Sequence, residues 1–335
     1  MRMPPIQYAE SADGTRIAYC VIPGESPPLL YVSAVDVAPG IDMAFRLGFR
    51  SSFLEALAGG RAMVLYDPRG RGFSGRITKP LTIEQMVEDL DAVTESVGEP
   101  VRVVAGNTGA SVACVRAARD PRLWTSLYLM GPAATFAGTL TAINGWDVRK
   151  NYRTLLGFIC RVVLNVSLDD LTATIDQFER ETPVETAIAY DDVFRHFDIW
   201  DLLPRIELPT HVSIRMPAVP GGVSEHAKEV ASLIPGARVV VAEGSLSGRE
   251  MGQWIRSTID GLALDPAVES SNDAFTHREI DVLRGLAGAQ SNAAIADNLG
   301  ISIRTVERHV HTIFGKLDVT NRTAAARWAI RNGLG

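Results

Sequence analysis

The stretch that decides the fold of the C-terminal part is residues 275–317, which read FTHREIDVLRGLAGAQSNAAIADNLGISIRTVERHVHTIFGKL. Polar residues before apolar periodic runs predict the starts of four short helices. The first of these is a T-x-x-E capping box formed by Thr276 and Glu279. The other three helices are predicted to start at Ser291, Ser302 and Asn321, and the turn residue is Gly300. A glycine between the second and third helices supplies the tight turn of a helix-turn-helix.

The third predicted helix has two chemically different faces. Its apolar face comprises Ile303, Val306, Val310, Ile313, Phe314 and Leu317. Its opposite face comprises Arg304, Thr305, Arg308 and Thr312, flanked by His311 and Lys316. An apolar stripe backed by basic and hydroxyl side chains is typical of a helix that lies in a DNA major groove. A small helical subdomain with a solvated basic face would share the periodicity, but not the ordered caps and the turn glycine.

Residues 275–330 resemble the LuxR-type (GerE-type) DNA-binding domain of bacterial regulators. The resemblance implies four helices, of which the third enters the major groove and the fourth dimerises. By the same resemblance, Glu307, Arg308 and His311 occupy base-facing positions, where arginine pairs with guanine and glutamate accepts from cytosine. The positions expected to contact phosphates are Asn292, Arg304, Thr305 and Lys316. Double-stranded DNA is therefore the predicted partner.

The charge of the chain is divided unevenly between its two parts. The whole sequence carries a formal net charge of -6. From Asn272 onward there are eight Lys or Arg and six Asp or Glu, giving +2, so the preceding part carries -6 minus +2, or -8. The basic end can contact DNA, and the acidic bulk has no need to do so. We expect a cytoplasmic protein, since no signal peptide or membrane-length apolar run is visible.

The larger N-terminal part alternates strand-like and helix-like segments. The predicted strands are Arg16–Ile22, Leu29–Ser33, Ala62–Asp67, Val101–Gly106, Ser126–Gly131, His211–Met216 and Arg238–Glu243. The predicted helices are Phe53–Ala58, Ile83–Val97, Ser111–Arg119, Glu225–Leu233 and Arg249–Leu262. This order predicts an α/β fold with a mainly parallel sheet, whose ligand site lies at the carboxyl ends of the strands. The interval 133–205 breaks the alternation, and its helical pattern with many aromatic residues predicts a lid over that edge.

Three stretches resemble α/β-hydrolases: DGTRIAY at 13–19, YDPRGRGFSG at 66–75, and AGNTGASVA at 105–113 followed by AARDP at 117–121. The resemblance covers residues 6 to 262. It implies an eight-stranded sheet, a helical cap and a Ser–acid–His triad with an oxyanion hole.

The chain departs from that pattern at every catalytic position. The G-x-S-x-G elbow reads Ala105-Gly106-Asn107-Thr108-Gly109, so an amide that cannot act as a nucleophile replaces the serine. No carboxylate lies near Ala218, where the acid is expected, and Ser247 falls at the position of the histidine. Ser33-Ala34 replaces the His-Gly of the oxyanion loop. We therefore predict no catalytic residues and no cofactor.

A shifted alignment would place a hydroxyl at the elbow. Thr108 would then be the nucleophile, with Ser111 one helical turn beyond it. Either hydroxyl needs a base. The histidines of this part are His196, His211 and His226. His196 lies among aromatic residues in the predicted lid, which makes it the candidate base expected to face the pocket.

Together these features predict a ligand-responsive transcriptional regulator with a catalytically inactive hydrolase-like sensor. The predicted domains are 1–264, a linker at 265–273, and 274–335. The residues expected to line the ligand site are Ser33, Ala34, Asn107, Thr108 and Ser247. The expected partners are DNA, a small and largely apolar effector, a second copy in a homodimer, and RNA polymerase as a further candidate. Two alternatives remain: an active esterase fused to a DNA-binding domain, and a regulator whose N-terminal domain binds a protein.

Overall fold

The computed structural model describes residues 2–36, 38–139, 145, 147–164, 166–216, 223–243, 246–263, 277–288, 290–299, 303–317 and 322–331. Within these residues the chain divides into two compact units, Met1–Pro266 and Ala267–Gly335. The predicted linker at 265–273 lies outside the described residues. No helix in the described part of the chain is both long and apolar enough to cross a membrane.

The first unit is built on a sheet of eight described strands. They are β1 (Gln7–Glu10), β2 (Arg16–Ile22), β3 (Glu25–Val32), β4 (Arg61–Tyr66), β5 (Val101–Gly106), β6 (Trp124–Met130), β7 (Thr210–Met216) and β8 (Arg238–Glu243). Their order across the sheet is β1-β2-β4-β3-β5-β6-β7-β8. The pairs β1–β2 and β2–β4 are antiparallel, and all other pairs are parallel. The prediction of an α/β fold with a mainly parallel sheet is confirmed.

Alternation along the strands gives the sheet two buried faces. In β3, Leu30 and Val32 pack on one face, while Leu29 and Tyr31 pack on the other. The first face is covered by α3 (Ile83–Val97), α4 (Thr108–Arg119) and α8 (Val223–Leu233). The second is covered by α1 (Ile41–Arg46), α2 (Gly48–Ala58) and α9 (Gly248–Ala263). Burial on both faces explains why the strands read as continuous apolar runs.

The described residues between β6 and β7, here called the cap, are largely helical, as predicted. It contains α5 (Val148–Phe158), a π-helical turn (Ile159–Val163), α6 (Leu168–Glu181), α7 (Val184–His196) and two 3₁₀ segments, Phe136–Gly138 and Trp200–Arg205. The rings that are buried within it are Tyr152, Phe178, Tyr190, Phe194 and Phe197. Most aromatic side chains of the cap therefore serve as core, which is the structural role that such rings usually have.

The second unit contains four described helices: α10 (His277–Ala287), α11 (Asn292–Leu299), α12 (Ile303–Leu317) and α13 (Arg322–Arg331). The Ser291 hydroxyl accepts the backbone N–H of Ala294 at 3.2 Å and so caps α11 as predicted. The buried core residues include Leu283, Leu286, Ile295, Ala296, Val306 and Ile313. The prediction that Ile303 lies on the buried apolar face is wrong, because this first residue of α12 is 49% exposed. Thr276, Gly300, Ser302 and Asn321 lie outside the described residues.

Candidate ligand site and nucleic-acid interface

Asn107 lies at a sharp turn between β5 and α4. Its backbone has φ 50° and ψ -125°, a positive-φ combination that residues with a Cβ rarely adopt. The turn is held on both sides, because the Asn107 N–H donates to the Met130 carbonyl at 2.8 Å and its carbonyl accepts the Ala110 N–H at 2.9 Å. Such strain persists where the surrounding structure enforces it, and it is concentrated at functional sites. The strand-to-helix elbow that the sequence predicts is therefore present, with an amide at its tip.

Glycine is required beside the elbow because two backbones approach closely there. A Cβ on Gly109 would lie 2.1 Å from the Ser33 carbonyl oxygen. Gly106 is less crowded, since its Cβ would lie 3.1 Å from the Met130 Cε atom. The close approach brings the start of α4 against the loop that follows β3, so the predicted residues Ser33 and Asn107 lie at the same edge of the sheet.

Asp36, which no sequence pattern indicates, joins this loop to the elbow. The Thr108 hydroxyl donates to the Asp36 carboxylate at 2.5 Å and accepts the Val35 N–H at 3.2 Å. Burial raises the pKa of the Asp36 carboxyl, and the Thr108 hydrogen bond opposes that shift. No pattern in the sequence singles out this aspartate, because its role depends on a partner 72 positions away.

Arg71 holds the same loop in place through hydrogen bonds to its backbone carbonyls. Its buried guanidinium donates to the carbonyl oxygens of Ala34 at 3.1 Å and Val35 at 2.7 Å, and also to that of Ala38. Its Nε donates to the Thr182 hydroxyl in the cap at 2.9 Å. One side chain thus connects the predicted site loop to the cap through four hydrogen bonds from one planar guanidinium.

Two further buried carboxylates complete the support of this loop. Asp67 accepts the N–H groups of Ile41 at 2.8 Å and Phe73 at 3.0 Å. Glu181, in the cap, accepts the Gly40 N–H at 3.0 Å. Burial raises the pKa of both carboxyls, while these backbone hydrogen bonds lower it. The cap therefore contacts loops at the carboxyl ends of β3 and β4, which is the edge where a ligand site was predicted.

Neither hydroxyl of the shifted alignment is available as a nucleophile in this conformation. Thr108 is 3% exposed and bonded to Asp36. Ser111 is fully buried, and its hydroxyl donates to the Ala133 carbonyl at 2.7 Å. Both hydroxyls hold backbone segments together, and a substrate carbonyl cannot reach a buried group without displacing them.

The histidines near the cap have other partners. His226 Nε2 accepts the Ala134 N–H at 2.9 Å, and its ring packs on Trp200 with centroids 5.1 Å apart. Burial lowers the pKa of His226, with Glu229 opposing. His196 is exposed, with Nδ1 2.9 Å from the Asp192 carbonyl oxygen, which corrects the idea that it faces the pocket from the lid.

Ser247 occupies a different setting from the other predicted ligand residues. It is exposed and lies directly before α9, where its hydroxyl accepts the Glu250 N–H at 3.3 Å and the Glu250 carboxylate accepts the Ser247 N–H at 2.8 Å. This reciprocal pair is a capping box, which explains the serine structurally. Ala218, the expected acid position, lies outside the described residues.

The predicted DNA-binding helix is α12. Glu307 is exposed and Thr305 is half-buried. The backbone of α12 is described throughout, but the side chains of Arg304, Arg308, His311 and Lys316 lie outside the described part. Their assignment to bases or phosphates stays a prediction.

Asn292 has an internal partner that the sequence did not indicate. Its side-chain oxygen accepts from Arg322 Nη1 at 2.7 Å, and Arg322 also donates to the Gln290 carbonyl. The start of α11 is thereby tied to the start of α13. Within the described residues, the amide nitrogen of Asn292 makes no hydrogen bond, and its two N–H groups are donors.

Comparison with known families identifies the second unit. Residues 273–329 match the family described as bacterial regulatory proteins of the luxR family. The transcriptional regulatory protein LiaR of Bacillus subtilis is 36% identical over 85 residues, which are 24% of this chain and 40% of LiaR. The CsgBAC operon transcriptional regulatory protein of Escherichia coli is 46% identical over 58 residues, 17% of this chain and 27% of that protein. The chain thus spans less than half the length of these relatives.

Solved structures identify the fold of the first unit. A bromoperoxidase from Bacillus anthracis superposes with a TM-score of 0.62 at 15% identity, covering 78% of this chain and all (100%) of that one. An enol-lactonase from Burkholderia xenovorans gives a TM-score of 0.57 at 20% identity, covering 77% of this chain and 100% of that one. At these identities the likeness establishes the fold alone. The chain therefore combines an N-terminal domain of the α/β-hydrolase fold with a C-terminal LuxR-type (GerE-type) helix-turn-helix DNA-binding domain.

Proposed function

We propose that this protein is a ligand-responsive transcriptional regulator whose hydrolase-like domain binds a small molecule without hydrolysing it. The observation that carries the proposal is Asn107 at the strained elbow. Its carboxamide makes no hydrogen bond with any residue in the described ranges, and its side chain is half-buried. A strained turn that presents a polar group without a hydrogen-bond partner among the described residues is suited to contacting a ligand.

The half-buried surroundings of Asn107 favour a small molecule as the ligand. Ser33, Met130 and Gly131 are also partly accessible and follow or end neighbouring parallel strands. Parallel sheets of this type bind ligands at the carboxyl ends of the strands. Asn107 and Ser33 supply a few polar contacts, and Met130 supplies an apolar one, so a largely apolar molecule with a few polar groups suits the site.

Absence of hydrolysis is supported by the chemistry of the same residues. An amide nitrogen is delocalised into its carbonyl and cannot attack an ester. The hydroxyls of Thr108 and Ser111 are buried and bonded. We expect the purified chain to hydrolyse short-chain nitrophenyl esters no faster than background. Turnover that disappears in Thr108→Ala or Ser111→Ala would contradict this part of the proposal and favour the active esterase.

DNA binding is tested with a matched pair of arginine variants. Arg308→Ala should weaken binding to the protein's own promoter region by about 1–3 kcal/mol, because arginine pairs with a guanine edge. Arg284→Ala removes the same charge from α10, where the arginine is exposed and 3.5 Å from Asp281. It should change affinity much less. Fluorescence anisotropy at low salt measures both, and equal losses in the two variants would rule out base recognition by Arg308.

Ligand binding is tested by thermal shift against a metabolite library, followed by calorimetry. A ligand that binds at the elbow site, the surface around Asn107, Ser33 and Met130, should raise the melting temperature of the wild-type chain. A ligand that binds only the folded state stabilises that state. If no small molecule raises the melting temperature and a protein captured by the N-terminal domain does, the protein-partner alternative would replace the small-molecule sensor.

A further inference from the structure

Arg50 is a half-buried arginine near the carboxyl ends of the strands. It lies in the first turn of α2, one turn before Phe53 and Leu54, so it is on the helix face that packs against the sheet. Its guanidinium carbon is 4.7 Å from the centre of the Tyr31 ring. Because α2 ends directly before β4 begins, its N-terminus points to the carboxyl ends of the strands. Long side chains on a helix lean toward that terminus.

Tyr31 connects this arginine to the elbow. A Cβ on Gly106 would lie 4.0 Å from the Tyr31 hydroxyl oxygen, and Gly106 directly precedes Asn107. The first turn of α2 also contacts the start of α9, since a Cβ on Gly248 would lie 2.4 Å from the Phe49 carbonyl oxygen. The guanidinium and the elbow therefore lie beside the same tyrosine side chain.

No acidic side chain in the described ranges neutralises Arg50. It makes no hydrogen bond or ion pair with any residue described there, and its Nε is buried without a hydrogen-bond partner. The nearby carboxylates of α1 and α2 have other partners, because Asp42 pairs with Arg46 and Glu55 pairs with Arg249. Arg50 is thus an unpaired cation in a part of the chain that is acidic as a whole.

This position is unfavourable for a cation that serves folding alone. The first turn of an α-helix carries partial positive charge, which repels a basic side chain. A buried donor without a partner adds a further loss of stability. Contacts with the rings of Tyr31 and Phe53, the latter at 5.5 Å, offset part of this loss but leave the N–H donors without an oxygen acceptor. Such local conflicts are typical of binding sites.

We propose that the effector is a small organic acid whose carboxylate pairs with the Arg50 guanidinium while its apolar part lies at the elbow site. The inference rests on the proposed ligand-binding function. A guanidinium matches the two oxygens of a carboxylate with parallel N–H donors. One guanidinium also balances one negative charge, which favours a carboxylate over a phosphate. The partly accessible Met130 side chain offers apolar surface beside it.

Calorimetry of the full-length chain with matched acids and amides tests the charge preference. The probes are phenylacetate with phenylacetamide, and octanoate with octanamide. Each acid should bind at least about tenfold more tightly than its neutral amide, because the charge-assisted pair is missing in the amide. Arg50→Gln should remove this difference by weakening the acids alone. Arg50→Lys should keep part of it, since lysine retains the charge but not the planar fork.

Arg46→Gln is the matched control, because Arg46 is an exposed arginine of α1 that already pairs with Asp42 at 2.9 Å. It should leave the preference for acids unchanged. Circular dichroism melts verify that each variant is folded. The anionic and uncharged hits of the metabolite library are compared in wild type and Arg50→Gln in the same way.

The outcomes separate this assignment from the sensor function. Acids and amides that bind the wild-type chain equally, acids that bind Arg50→Gln with unchanged affinity, or library hits that are all uncharged overturn the carboxylate assignment and leave the sensor in place. If neither the four probes nor any library compound binds, the sensor function fails and the assignment fails with it.

Discussion

The backbone of Asn107 stores strain that a glycine would release. At φ 50° and ψ -125° a Cβ is unfavourable, and such residues cost about 1–3 kcal/mol. We predict that Asn107→Gly raises the free energy of unfolding by about 1 kcal/mol, and that Asn107→Ala lowers it. Urea denaturation measures both. If both substitutions destabilise the chain alike, the native amide makes a stabilising contact and the turn is not the main source of strain.

His211 makes stability depend on pH in a defined window. Burial, with Arg238 as the second cause, lowers the pKa of His211 from 6.5 to about 4. Between these values the unfolded chain binds a proton that the folded chain excludes. The free energy of unfolding therefore falls as the pH drops from about 6.5 to 4, by up to roughly 3 kcal/mol, and this contribution is constant below that range.

The variant His211→Phe isolates this effect, because phenylalanine keeps a ring beside Tyr128, whose centroid lies 6.2 Å away, but cannot titrate. Chemical denaturation at pH 7 and pH 4.5 should show a smaller stability difference in the variant. Tyr128→Phe is the control: it removes a buried hydroxyl without a hydrogen-bond partner in the described structure and should keep the full pH dependence. An unchanged difference in His211→Phe would assign the dependence to other groups.

The junction of α4 with the loop after β3 depends on the absence of a side chain at Gly109. Because a Cβ there would lie 2.1 Å from the Ser33 carbonyl, Gly109→Ala should force α4 away from the sheet and destabilise the chain by more than about 2 kcal/mol. Gly48→Ala is the matched control, since among the described residues that Cβ would have no atom within 4 Å apart from its chain neighbours and its own helix backbone. Thermal melts compare the two. Equal melting temperatures of the two variants would mean that α4 and the loop after β3 can move apart without loss of stability.

Elements with strong local signals were predicted most accurately. The strands Arg16–Ile22, Val101–Gly106 and Arg238–Glu243 and the helix Ile83–Val97 have the predicted bounds. The helix is fixed by a Thr82 capping box with Gln85 and by Gly98 in the left-handed region. β1 was missed, because four polar-rich residues carry no periodicity of their own. Its pairing with β2 supplies the stability that its sequence lacks.

At the scale of the whole molecule, the proposed sensor works only if the ligand changes DNA affinity. A ligand shifts this equilibrium only by its differential affinity for two states, and typical couplings are about 1–3 kcal/mol. We predict that Asn107→Trp fills the elbow site and removes the effect of a confirmed effector, leaving basal DNA binding intact. Anisotropy titrations with and without effector measure the coupling. An effector that binds this variant with unchanged affinity in calorimetry would place the pocket elsewhere.

The sequence by itself determined the fold class, the two-part organisation and the DNA-binding domain. Those conclusions rest on local signals: helix caps such as Ser291, apolar runs of strand length, and a glycine-rich elbow around Asn107. Each signal depends only on residues close together in the sequence, so it can be read without knowing the tertiary structure.

Only the tertiary structure decided what surrounds the elbow. The Thr108–Asp36 bond joins residues 72 positions apart, and the Arg71–Thr182 bond joins residues 111 positions apart. Their donors and acceptors have many candidate partners in the sequence, and only packing of the sheet, cap and loops selects one. The same holds for Ser247, whose hydroxyl caps α9, and for His196, which is exposed. Pairing of polar groups across such separations is a property of the folded chain. Burial of apolar surface offsets the conformational entropy lost on ordering these groups, and no local segment buries enough surface alone.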